Sequence, residues 1–172
     1  MSCRLTSGYP TQCQDGMPGI KTIYIANYAD FIGYTLDANS VITGLTLTGS
    51  AKFYTFNLNK EAGEFIENLN TNATNGTTAY EQVVNLYLSK YQTSLRNQIT
   101  LLAKTKTIII FADRNGQFWL GGSENGFNAT GGSGVVGKAF LGDANGWNIS
   151  LAAQESQLAY EVNSSLIASI TA

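Results

Sequence analysis

Four groups of residues in this 172-residue chain have types and spacings that chemistry uses. The most suggestive is Gly131-Gly132-Ser133-Gly134-Val135-Val136-Gly137-Lys138-Ala139, which contains G-x-G-x-x-G from Gly132 to Gly137 and also G-x-x-x-x-G-K. Such a loop cradles phosphates only where a strand feeds it and a helix leaves it, so that backbone N–H groups and the helix dipole face the anion. Here Phe127 to Thr130 makes a feeble strand, and only Ala139 to Leu141 separates Lys138 from the next turn. Ala139 also stands where a magnesium-binding Ser or Thr is needed. The expected structure is a flexible, exposed loop, of a kind that can order against a neighbouring subunit.

Asp113-Arg114-Asn115-Gly116 and Asp143-Ala144-Asn145-Gly146 repeat Asp-x-Asn-Gly, a fragment of a calcium loop. A complete loop needs a further ligand position and a distal bidentate Glu, and neither follows. Hairpin chemistry accounts for the same residues: Asp accepts from turn N–H groups, and Asn and Gly tolerate the left-handed position. Glu61, Glu64 and Glu67 sit three apart; on a helix they form an acidic stripe, and a carboxylate pair does acid–base work in glycosidases. Nothing around them marks a raised pKa, so a solvated face is expected. Repeated around a ring, such a stripe gives a negative surface to which DNA does not adhere. Cys3 and Cys13 cannot close a four-ligand zinc site, and the chain contains no His. Free or packed thiols and a disulfide closing the arm both fit.

The missing His removes His-based triads, Cys–His nucleophiles and His-ligated metals. No residue is assigned a catalytic, cofactor-binding or metal-ligating role, no cofactor is expected, and the chain reads as a structural or interaction protein rather than an enzyme. Ten Lys and Arg against twelve Asp and Glu give a net charge of −2, which argues against a basic grip on nucleic acid. Charged residues are only 13% of the chain, while 16 Asn, 18 Thr and 18 Gly take their place, a composition suited to turns and strand edges. No apolar run approaches the ~20 residues of a membrane span. Met1-Ser2-Cys3-Arg4-Leu5 has no hydrophobic stretch behind its positive charge, so no signal peptide is expected.

The elements that must position these residues read as follows. Residues 1–19 hold both prolines and no periodicity, an extended N-terminal arm. Residues 20–172 read as a single β-sandwich domain. Lys21 to Ala26 is the first strand, and Asp37-Ala38-Asn39-Ser40 is a turn. Val41–Thr48, with Val41, Thr43, Leu45 and Leu47 on one face, and Ala51–Leu58 follow, joined by a two-residue hairpin at Gly49-Ser50. Glu64–Asn72 and Ala79–Leu88 read as further strands around a polar loop. Tyr91, Leu95, Ile99 and Leu102 paint one face of a helix over 90–104, with Ser89 as its N-cap. The apolar run Ile108 to Phe111 is a strand covered on both faces. Gln117–Leu120, Trp147–Ala153 and a stretch near Leu158 to Ile170 complete the set as strands. Trp119 and Trp147 follow turns inside apolar patterns and belong to the core. The fold class is mainly β with one α-helix, a β-sandwich or barrel.

Part of the chain resembles a known family. Ser94-Leu95-Arg96-Asn97-Gln98-Ile99, Leu101-Leu102-Ala103, Ile108-Ile109-Ile110, Asp113 through Gly121, Asn125-Gly126-Phe127, and Gly142 through Ile149 with the acidic Glu155 beyond are similar to virion structural proteins of phages infecting Bacteroidetes. The resemblance covers about residues 60–162 and rests on turn and core residues. It implies a tail-tube type of fold: a β-sandwich flanked by a helix, with strands joining across subunits into a ring. The implied role is a self-assembling subunit of a conduit for DNA, in a virion assembled in the host cytoplasm. Its implied partners are further copies of itself in stacked rings and other tail or neck proteins, with DNA passing unbound and no membrane involved. A neck, head–tail connector or baseplate ring of the same fold is the nearest alternative. A carbohydrate-binding fibre or adhesin module, stacking sugars on its aromatics, is a more distant one.

Overall fold

The structure is a computed structural model and describes residues 7–11, 13–59, 62–139 and 142–172. The fold is mainly β. In chain order, β1 (Ile20–Asn27), a 3-10 turn (Tyr28–Asp30), β2 (Phe31–Leu36), β3 (Ile42–Leu47) and β4 (Tyr54–Asn57) come first. Then follow β5 (Gly63–Asn72), β6 (Thr77–Ser89), α1 (Thr93–Leu102), β7 (Thr107–Asp113), β8 (Phe118–Gly121), β9 (Asn128–Val135), β10 (Gly146–Glu155), β11 (Tyr160–Val162) and α2 (Ser164–Ile170). The described arm residues up to Gly19 are irregular and exposed, including Cys13; Cys3 lies outside the described residues.

The strands form a large sheet, β2-β3-β11-β8-β7-β1-β4, and a small one, β5-β6-β10-β9. Side-chain alternation divides the core between them. From β1 and β7, Ile23, Ile25, Ile109 and Phe111 meet Val84, Leu86, Leu88, Ile149, Leu151 and Ala153 of the small sheet, with Ile99 and Leu102 of α1 and the fully buried Phe127. The opposite face of the same strands sends Ala26, Ile108 and Ile110 into a second cluster with Ile42, Phe53, Leu120, Val162, Ile167 and Ile170. Every residue of β7 from Thr107 to Ala112 is therefore buried, as its unbroken apolar run implies.

The second cluster is closed by α2. Its flank touches β3 near one end of the large sheet, and its C-terminus reaches the other end, where Phe53 N–H donates to Ile170 O at 2.9 Å and Ala172 N–H to Phe53 O at 2.9 Å. A seven-residue helix is only about 10 Å long, so a sheet with both ends in its reach must curl strongly around it.

Several expectations are corrected. Gly49-Ser50 does not join a hairpin, because β3 pairs with β2 and β11 while β4 crosses to the far end and pairs with β1. The β2–β3 hairpin instead turns at Asp37–Ser40, where Asp37 Oδ1 accepts from Asn39 N at 2.8 Å and Val41 N at 2.9 Å. Ile42, not Val41, is the buried residue of β3, and Thr43 is exposed. The stretch toward Ile170 is one three-residue strand and a second helix, whose N-cap Asn163 accepts from Ser165 N at 3.0 Å. α1 begins at Thr93 behind Gln92, with no side-chain cap; Ser89 ends β6 and accepts from Asn59 Nδ2 at 2.8 Å.

Candidate functional site

Each group singled out by residue type has a structural place. Asp113 makes the expected turn: its Oδ1 accepts from Asn115 N at 2.9 Å and Gln117 N at 2.8 Å, and Gly116 has φ +88°. Asn115 then ties the arm, accepting from Met17 N at 2.8 Å and donating to Met17 O at 3.2 Å. The second Asp-x-Asn-Gly is not an equivalent turn. Asp143 accepts from Lys138 N and Ala144 N, while Asn145 Oδ1 accepts from Tyr91 N at 2.9 Å ahead of α1.

Of the glycine-rich segment, Gly131 to Val135 are not a loop but part of the edge strand β9, paired with β10, while Val136 to Ala139 are irregular and exposed. A Cβ on Gly134 would lie 2.6 Å from Cε2 of Trp147, and one on Gly132 2.8 Å from Asn148 O. The indole therefore lies against bare backbone, which explains glycine in a strand that its propensity disfavours. Trp147 also stacks on Tyr91, with centroids 5.6 Å apart, and its Nε1 is buried without a partner among the described residues. Trp147 and Trp119 are both half-buried against the core, and each borders a surface groove.

Glu64 and Glu67 lie on β5 and, three residues apart in a strand, on opposite faces. Glu61 lies outside the described residues. Glu67 turns inward, accepting from Gln82 Nε2 at 3.0 Å and Ala159 N at 2.8 Å. Nearby, Glu155 is buried at the end of β10 and accepts from Glu124 N at 2.7 Å and Asn125 N at 3.0 Å. Burial pushes its carboxyl above the ordinary range, against the pull of those N–H groups. Glu124 is held below that range by the Ser156 hydroxyl and N–H. These carboxylates clasp the loop after β8 to the end of the small sheet. Among the described residues no cluster of three or more His, Cys, Asp or Glu has metal-binding geometry.

What stands out chemically is the outward face of the small sheet. Glu64 and Asn68 of β5, Glu81, Asn85 and Tyr87 of β6, Asn148, Ser150 and Gln154 of β10 and Ser133 of β9 share it by strand alternation and register, around a cross-strand apolar row of Ile66, Val83 and Ala152. A hydrogen-bonded chain crosses the face: Asn85 Nδ2 donates to Glu64 Oε1 at 2.7 Å, Ser150 Oγ to Asn85 Oδ1 at 2.6 Å, and Thr130 Oγ1 to Ser150 O at 3.3 Å. None of the four strands contains a Lys or Arg, although they hold Glu64, Glu67, Glu81 and Glu155. The signal was present in the sequence, since Lys60 to Lys90 and everything beyond Lys138 are free of intervening cations.

Among the described residues, both edges of this sheet are open. β5 pairs only with β6, and β9 only with β10. All pairings are antiparallel, so β5 and β9 themselves run in opposite directions. No protein family, curated protein or solved structure matches the chain.

Proposed function

We propose that this protein is a self-assembling structural subunit whose small sheets join edge to edge into a ring or tube, lining a conduit through which DNA passes unbound. The observation that carries the reading is the small sheet itself: four strands without a single cation, between two open edges of opposite direction. A polyanion is held chiefly by Lys and Arg contacts to phosphate, so a wall lacking both lets it slide. Open, exposed strand edges are a liability in a monomer, and ring closure pairs them. β9 of one copy beside β5 of the next continues the antiparallel order without a break.

The resemblance of residues 60–162 to phage virion proteins supports placing this ring in a virion, in the tail tube. A neck or baseplate ring would use the same edges. The test is negative-stain microscopy and sedimentation of the purified chain over rising concentration. Rings or tubes are expected, and a monomer that persists at high concentration overturns the reading.

A further inference from the structure

In an antiparallel pairing of β9 with a neighbour's β5, the C-terminal end of β9 comes beside the N-terminal end of β5. Two features of this chain meet there. Leaving β9, Val135 and Val136 are 39% and 65% exposed, and Lys138 follows. The segment is shaped rather than loose: Gly137 has φ +57°, its position leaves no room for a Cβ against Ala144 O, and Asp143 accepts the Lys138 N–H. At the start of β5, a groove runs under the open edge between the two sheets, with Ile20, Phe65, Phe111 and Trp119 along it and Glu64 on its rim.

We infer that this groove seats the Val135–Lys138 segment of a neighbouring copy, with the Lys138 ammonium against the neighbour's Glu64. The inference rests on the edge-to-edge reading and adds the contact that fixes its register. Charge complementarity selects the occupant. Among the described residues, the carboxylates lining the groove are Glu64, Glu67 and Asp113, and the cation lining it is Arg114. Asp113 is held by its own turn and Glu67 by Gln82 and Ala159. Glu64 is exposed and accepts one bond, from Asn85, so it has capacity for an incoming cation. The valines supply the apolar part that the groove floor complements, and the pre-shaped turn at Gly137 lowers the ordering cost of docking. An ion pair of this kind sets register and specificity more than raw affinity.

The experiment compares the wild-type chain with Lys138→Glu, Glu64→Lys, the double swap, and Lys104→Glu as a remote charge control, each first checked for an unchanged circular dichroism spectrum and melting temperature. Sedimentation velocity then gives the concentration of half-assembly. Each single reversal is expected to raise it about tenfold or more by placing like charges together, the swap to restore it, and the control to leave it unchanged. If the wild type assembles and the reversals assemble equally well, the seat is wrong while the edge-to-edge reading survives. If both singles weaken assembly and the swap does not rescue it, the Lys138–Glu64 pairing is overturned. A wild type that never assembles overturns both.

Discussion

In the large sheet, β7 is buried on both faces and α2 reaches both ends of the curled sheet; in the small sheet, β6 and β10 alternate buried and accessible residues, and among the described residues the end strands of both sheets, β2 and β4 as well as β5 and β9, pair on one side only. Within the strands themselves the large sheet carries one cation, Lys21, and the small sheet none; Lys52, Lys106 and Arg114 flank the large sheet, and Lys90 and Lys138 flank the small one. Both sheets belong to one small chain and share one apolar cluster. A sheet whose faces are both filled has its residues set by packing. A sheet with a free face retains the choice of what to display, and this one displays carboxylates, amides and hydroxyls around a short apolar row of Ile66, Val83 and Ala152.

That contrast can be broken deliberately. The largest effect is expected in the large sheet. Phe53 is fully buried and joins α2 to the β4 end, so Phe53→Ala should cost about 3–5 kcal/mol in urea unfolding. A loss below about 1 kcal/mol would show that α2 does not hold the two ends together. In the small sheet the sensitive positions are glycines. Gly134→Ala drives a methyl into Trp147 and should cost about 1–3 kcal/mol, whereas Gly131→Ala meets nothing within 4 Å and should change stability by less than about 0.5 kcal/mol. Equal costs would refute the account of why β9 is glycine-rich.

The clasp where the sheets meet gives a smaller, pH-dependent effect. Glu155 holds its proton more tightly in the folded chain than in the unfolded one. Its contribution is therefore full below the ordinary carboxylate value of 4.5 and is lost as pH rises through the raised value. Glu124, held down, contributes above 4.5 and loses that contribution as pH falls through its lowered value. Thermal melts from pH 4 upward should show wild type losing stability relative to Glu155→Gln as pH rises towards neutrality. Parallel curves would remove the buried charge from the account.

What could be read from the residues followed the same division. The run Ile108 to Phe111 declared a doubly covered strand because nothing but burial on both faces demands it. The alternation in 42–58 revealed strands but not partners: period two tells which face a residue takes, and the crossing of β4 to β1 is decided by long-range packing on Phe53 and α2. Gly131 to Gly134 read as a loop because glycine weakens strands; the position of Trp147 accounts for Gly134 and the Asn148 carbonyl for Gly132. The seven residues of α2 were too few to separate helix from strand by periodicity, although Asn163-Ser164-Ser165 carried a capping signal. The cation-free face was visible as spacing between lysines, but it became a surface only once register placed β5, β6, β10 and β9 side by side.

Hydrogen–deuterium exchange of the assembled against the dilute chain tests the central claim most directly. Amides along the free edges of β5 and β9 should exchange more slowly on assembly, while those of β2 and β4 at the ends of the large sheet keep their rates. Protection confined to β2 or β4, or unchanged exchange at β5 and β9, would contradict it.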